Sequence, residues 1–307
     1  LKFLPANLVT PNIIPLNFIY DKGSDFGNDT LTIIFKDNIS GQKSSYTIKQ
    51  PTIEAYFVKP EFRTFDNDLS HHWFPIDKCY KKMIPYATRF YEAAKELGLD
   101  NSEQAKLNPY VYGIDIEIEN FYLIQFIKEY ACHEPKNISC GYFDIENDIT
   151  STSVIGETPI VCITYNSETT NTVYNVSVRN EKYKKFDVYE QNIQKFIDEC
   201  TESFALYDEY TDTPWEYQCV IFDNEADMLL AFWKLVHTLD DDFMVAWNAP
   251  FDVMSIINRM SNIGLDPYQT VCDSRIAFKK IDIEEDTQIN VVKRRHKFDI
   301  TVLPVVA

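Results

Sequence analysis

The chain has 307 residues, 45% hydrophobic and 25% charged, the balance of a folded protein with about two domains. No apolar run reaches the length of a membrane span and no signal peptide is read, so neither a membrane protein nor a secreted one is expected. The net charge of −18 argues against broad duplex binding through phosphate neutralisation. It leaves open an enzyme that holds a few nucleotides at a metal site, because bound divalent ions reverse the local field.

The cysteines are 79, 132, 140, 162, 200, 219 and 272, an odd count without a CxxC. They predict buried free thiols in a reducing cytoplasm rather than a disulfide framework or a zinc knuckle.

In chain order, "LTIIFKD" (31–37) and "TIEAYFVKP" (52–60) read as strands, with turns at "GSDFGNDT" and "NISGQKS". "YATRFYEAAKEL" reads as a helix that Gly98 ends, and a second helix is expected from Asn120 to Tyr130. "CHEPKN" (132–137) is a candidate domain boundary. Beyond it, "ISCGYFDIE" (138–146), "PIVCITYN" (159–166) and "TVYNVSV" (172–178) are three successive strand candidates. Ile193, Phe196, Ile197 and Cys200 then repeat at helical spacing. "YQCVIFD" (217–223) reads as a strand. The next helix opens on Asn224 as N-cap with Asp227 three residues on, and shows an apolar face of Met228, Leu229, Phe232, Leu235 and Val236. "DFMVAWN" (242–248) reads as a strand. "APFDVMSIINRMSNIG" reads as a helix with Val253, Ile256, Ile257 and Met260 on one side and Gly264 past its end. This order fits a ribonuclease H-like α/β domain among several doubly wound folds.

Two stretches carry chemistry. In "GYFDIEND", strand periodicity puts Asp144 and Glu146 on one face and Phe143 and Ile145 on the other. Carboxylates in a half-buried strand must reach solvent, cations or metal. In "WNAPFDV", Asp252 falls in the first turn of a helix, with Asn248 placed as N-cap and Pro250 tolerated in that turn. The helix dipole alone explains an acid at position 252, but not its combination with a distant acidic strand. Three carboxylates have the oxygen chemistry of a magnesium or manganese site. Two such ions activate water and stabilise the leaving oxygen in phosphodiester hydrolysis.

"YFDIEND" and "WNAPFD" resemble the first two exonuclease motifs of family B DNA polymerases, especially those of tailed bacteriophages. Their spacing also suits that family. The resemblance implies a polymerase N-terminal domain (α+β) over residues 1–137, including "NPYVYGIDIEIENFY". It implies a 3′–5′ exonuclease domain over 138–307, ribonuclease H-like of the DEDD type, with a mixed sheet and incomplete at its C-terminal end. It further implies that Asp144 bridges two Mg²⁺ or Mn²⁺ ions, that Glu146 ligates the water-activating one, and that Asp252 holds the leaving-group one. Asn248 and Phe251 would shape the helix start and the terminal-nucleotide pocket, although a cap and a core aromatic are plain readings of both.

A second triplet, Asp115 and Glu117 with Glu119 following in "GIDIEIEN", precedes a helix-like stretch instead of two more strands. It is assigned to structure or solvent. The family's third motif, Tyr-x3-Asp on a later helix, has no good match. "YQTVCD" has one residue too many and comes too soon, and Asp299 lies in the strand-like "HKFDITVLP". No polymerase motif is found; "YTDTP" (210–214) is a poor echo. "KRRHK" (293–297) suits DNA phosphates or a partner as well as it suits a solvated β-turn, and "HHWF" (71–74) reads as a surface loop. His237 has an aspartate five residues on, but both precede Asp252, the wrong order for a His-type nuclease of this superfamily.

The expected activity is two-metal hydrolysis of 3′-terminal nucleotides from single-stranded DNA, with primer-template DNA as partner. Terminal bases would stack on aromatic side chains. A polymerase portion or partner polypeptide would supply the third motif. The alternative is a non-catalytic scaffold or DNA-binding half of a split polymerase.

Overall fold

The computed structural model describes residues 2–10, 12–24, 27–63, 74–130, 134–149, 156–179, 215–276, 279–286, 295–300 and 305–306, together with Lys195, Asp198, Glu199 and Glu202. The chain divides into two compact units, Leu1–Lys136 and Asn137–Ala307.

The first unit holds two three-stranded antiparallel sheets. In one, β2 (Thr30–Asp37) lies between β1 (Ile13–Asp21) and β3 (Lys43–Lys49). Leu31 to Lys36, with Ile33, Ile34 and Phe35 at their centre, are buried on both faces, as suits the central position. In the other, β4 (Thr52–Val58) pairs with β5 (Cys79–Pro85) and the short β6 (Val111–Tyr112). Helix α1 (Arg89–Leu97) ends at Gly98, whose φ of 69° lets its N–H reach back to Ala94 and Lys95. A one-turn helix, α2 (Glu103–Lys106), follows. Helix α3 (Ile118–Glu129) begins two residues before the expected start, because Ile118 is itself a fully buried core residue beside Phe121, Tyr122 and Phe126.

The second unit is built on one mixed sheet. Strands β7 (Cys140–Asn147), β8 (Ile160–Ser167) and β9 (Thr172–Val178) are antiparallel neighbours. Strand β10 (Glu216–Phe222) joins β9 in parallel at one edge. On the other side of β7 lies β11 (Phe243–Val245), also parallel, followed by the two-residue β14 (Val305–Val306). One face of the sheet packs Phe143, Ile145, Ile163, Tyr165 and Val176 against Met228, Leu229, Phe232, Trp233 and Val236 of α4 (Glu225–Leu239) and Val253, Ile256 and Met260 of α5 (Ala249–Asn262). A short α6 (Pro267–Thr270) adjoins them. Outside the sheet, β12 (Ile281–Asp286) and β13 (Arg295–Ile300) form a hairpin.

Two expectations need correction here. The strand expected over 242–248 is only three residues long, because the chain must turn out of the sheet at Trp247 and Asn248 to enter α5. "KRRHK" is not a β-turn where it is described. Arg295, His296 and Lys297 are strand residues in register with Asp286, Glu285 and Glu284. Of the helix expected over 193–200, Lys195, Asp198 and Glu199 are helical, while Ile193, Phe196, Ile197 and Cys200 lie outside the described residues, as do the remaining two cluster residues, His71, His72 and "YTDTP". Among the described residues, no helix is long and apolar enough to cross a membrane.

Candidate active site

Strand β7 presents Tyr142, Asp144 and Glu146 on its exposed face, while Phe143 and Ile145 are buried against the helices. The acids therefore do not enter the core, and the alternation explains how a half-buried strand carries them. Across the sheet, Asp144 is in register with Thr164, and Thr164 with Asn175. The Asn175 amide donates to Thr164 Oγ1 at 3.1 Å and to Cys162 Sγ at 3.0 Å, so the acids border a polar sheet face.

Asp252 has a different environment. It sits in the first turn of α5 and is only 3% exposed. Its Oδ2 is buried without a hydrogen-bond partner. Burial, and after it the nearby charge of Asp144, push its carboxyl up to about 6, while the Asn248 backbone hydrogen bond acts the other way. Asp144 and Asp252 thus come from strand and helix to share one electrostatic neighbourhood. A polar atom left bare in a protein interior is costly, and a cation is the kind of partner that would relieve an unpartnered carboxylate oxygen under the charge of a second carboxylate. All-oxygen donors suit magnesium or manganese. The residues present fit such an ion at Asp144 and Asp252. Among the described residues, however, no group of three or more His, Cys, Asp or Glu is gathered closely enough to hold a metal.

Helix α5 is fixed firmly at its other end. Arg259 donates from Nε and Nη2 to the Glu225 carboxylate at 2.7–3.0 Å, and from Nη1 to the Glu157 carbonyl at 2.9 Å. Glu225 also accepts from the Ile160 backbone N–H at 2.7 Å. Asn262 donates to the Gly156 carbonyl at 2.8 Å. Gly156 has a φ of 82°, and a side chain there would strike Asn258. One charged pair therefore ties the start of α4, the start of β8 and the body of α5 together, and through α5 the position of Asp252.

Asn248 occupies the N-cap position of α5, but its side chain makes no cap hydrogen bond, contrary to the sequence expectation. Its carbonyl accepts from the N–H groups of Phe251 and Asp252, and the residue is exposed. The cap found elsewhere is the expected one: Asn224 Oδ1 accepts from Asp227 N–H at 2.8 Å. Phe251 is exposed rather than a core aromatic.

Two aromatic residues near the acids were not singled out from sequence. Trp247 is fully exposed, immediately before Asn248. Tyr142 is exposed on the face of Asp144, in register with Val245 of β11. Its hydroxyl donates to Glu168 at 3.1 Å, and burial followed by that carboxylate pushes it up to about 12. The alternation of β7 was a signal for Tyr142. Nothing in the sequence distinguishes an exposed tryptophan from a buried one.

The remaining candidates have other surroundings. Asp273 of "YQTVCD" is buried. Burial pushes its carboxyl up, but the Arg275 guanidinium outweighs this and holds it below the ordinary value. Arg275 joins it to Asp240 at the end of α4. His237 contacts the Thr270 carbonyl at 3.0 Å and is 4.0 Å from Asp273. Asp299 lies in a strand opposite Asp282. Asp115 and Glu117 are exposed ahead of α3.

The family described as DNA polymerase family B, exonuclease domain, matches residues 110–302. The chain belongs to that family. The match takes in both carboxylate stretches and begins inside the first unit, at β6 and the second acidic triplet. Membership in a family B exonuclease domain implies a DNA substrate and 3′–5′ exonuclease activity. No curated protein matches the chain well enough to count as a relative.

Proposed function

We propose that this chain is the N-terminal and proofreading portion of a family B DNA polymerase of the tailed-bacteriophage type. In this reading residues 1–137 are the polymerase N-terminal domain and 138–307 the ribonuclease H-like exonuclease domain. The carrying observation is the buried, unpartnered carboxylate oxygen of Asp252 beside the charge of Asp144, within a family-matched segment.

Asp144, Glu146 and Asp252 are the residues that would hold divalent ions. When bound, two such ions supply an activated water and a stabilised leaving oxygen for phosphodiester hydrolysis. Asp144 and Glu146 stand on a rigid central strand, so their carboxylates are oriented at little entropic cost. Asp252 keeps its carboxylate out of water, which strengthens its attraction for a cation. Trp247, in the turn before α5, and Phe251, in its first turn, are both exposed and suit stacking on the last bases of a single strand, and the exposed Asn248 between them suits a polar contact. The third motif and its fourth carboxylate would come from other polypeptide.

The test is degradation of a 3′-labelled single-stranded oligonucleotide by the 307-residue chain in Mg²⁺ or Mn²⁺. Activity lost in both Asp144→Ala and Asp252→Ala would show that the carboxylates of this chain suffice, and no activity in the folded wild type would show that the site needs the third motif. Activity retained in both variants would sink the assignment. The second reading is a non-catalytic, DNA-binding half of a split polymerase that awaits a partner chain. Calorimetric titration with Mn²⁺ separates the two readings. Two sites abolished by Asp252→Ala support the exonuclease, and a single weak site supports the scaffold.

A further inference from the structure

The second acidic triplet is not used by the exonuclease site, yet it is held as rigidly as the first. Gly113 has a φ of 85°, and a Cβ there would fall 2.7 Å from the Glu54 carbonyl of β4. Only glycine lets the chain pass so close to the sheet. The next residue, Ile114, is buried, and its carbonyl accepts from Arg89 Nε at 2.9 Å. That guanidinium is itself seated over the Tyr86 ring, 3.8 Å from its centroid. With Gly113 and Ile114 pinned, Asp115, Ile116 and Glu117 are directed outward, and all three are exposed.

The surface continues onto α3. That helix is apolar on more than its buried side. Ile118, Phe121, Tyr122 and Phe126 fill the core, while Ile124 and Ile127 remain about half exposed. Glu117, Asn120, Ile124 and Ile127 follow helical spacing along one line, about 15 Å long at the rise of an α-helix. Asn120 Nδ2 donates to Glu117 Oε2 at 3.2 Å, which joins the acidic turn to the apolar stripe. Ile116, on the turn before the helix, is also exposed.

We propose that this face, from Asp115 through Ile127, is a docking surface for a basic amphipathic helix of another polypeptide. The charge pattern selects that occupant. Ile124 and Ile127 offer apolar anchors three residues apart on α3, and Asp115 and Glu117 set a negative charge at one end. A partner helix with leucine-class residues on one side and lysine or arginine beside them satisfies both. The inference uses only residues of the first unit and does not depend on the exonuclease reading.

The probe is a fluorescein-labelled sixteen-residue peptide with leucines at i, i+3, i+4 and i+7 and lysines flanking them, titrated with the full chain and read by anisotropy. Two variants separate the forces. Ile124→Ser with Ile127→Ser removes the apolar anchors and leaves the charge unchanged. Asp115→Asn with Glu117→Gln removes charge and leaves the anchors. Each pair is expected to weaken binding about tenfold or more, with circular dichroism unchanged, and a peptide with glutamates for lysines is expected not to bind. Equal affinity for wild type and the Ile→Ser pair would mean that the peptide only senses the net charge, and would overturn the proposal. So would sedimentation showing that the chain self-associates through this face, with dimer lost in the Ile→Ser pair, because the occupant would then be a second copy.

Discussion

Asp252 offers the sharpest test of the site, in metal-free buffer with chelator. Its carboxyl is displaced from the ordinary 3.8 to about 6 by burial and by Asp144. At about 1.36 kcal/mol per pH unit, that displacement is worth roughly 3 kcal/mol. The sign follows from proton binding. Between pH 3.8 and about 6 the folded chain holds a proton on Asp252 that the unfolded chain has released, so this residue's contribution falls as pH rises through that window. Above pH 6 the folded state carries the full cost of a buried, ionised and unpartnered carboxylate. Asp252→Asn keeps the shape and removes the charge. It should therefore stabilise the second unit by about 2–3 kcal/mol at pH 7.5, a rise in Tm of roughly 5–10 °C. At pH 4 the difference should shrink to a few tenths. The assay is urea unfolding of both proteins at the two pH values, where other titrating groups cancel in the comparison. Asp144→Asn should recover part of the same gain, because its charge is the second cause of the shift. An equal difference at pH 4 and 7.5, or a variant less stable than wild type at pH 7.5, would refute the reasoning.

Three other outcomes follow from the same structure. Trp247→Ala should leave unfolding unchanged, since the ring is fully exposed, and should raise KM for single-stranded DNA by about tenfold, the value of roughly 1–3 kcal/mol for one stacked base. Gly141→Ala should destabilise by about 3 kcal/mol or more, because its Cβ would fall on the Tyr165 ring and hydroxyl. Tyr165→Phe should not rescue it, because the ring carbons obstruct as much as the hydroxyl does, and removing the hydroxyl also takes a donor from the buried Asp241. Arg259→Gln leaves Glu225 largely buried without its bidentate partner, and should cost about 2–4 kcal/mol in urea unfolding. In that variant kcat should fall more than KM rises, because α5 carries Asp252.

Sequence periodicity determined a large part of this protein. The alternation in "GYFDIEND" fixed which side chains of β7 face the core, and the observed burial follows it residue by residue. The three-and-four spacing marked Met228, Leu229, Phe232 and Val236 on the buried side of α4, while Leu235 of the same expected face is only half-buried and Trp233 is buried in its stead; the Asn224 cap was legible in four residues. These are local properties, set by a side chain's place in its own repeat. The tertiary structure decided the rest, because the rest depends on distant neighbours. The length of β11 was set by where the chain had to leave the sheet, and Asn248 lost its expected capping role there. The basic run "KRRHK" met an acidic strand whose register no local pattern announces. Asp115 and Asp144 sit in the same triplet, but only Asp144 acquired a buried carboxylate beside it, from a helix more than one hundred residues later. Periodicity says which way a side chain points. What it meets there is a matter of chain packing, and the raised pKa and orphaned oxygen of Asp252 exist only because that packing excluded water and brought a second negative charge close.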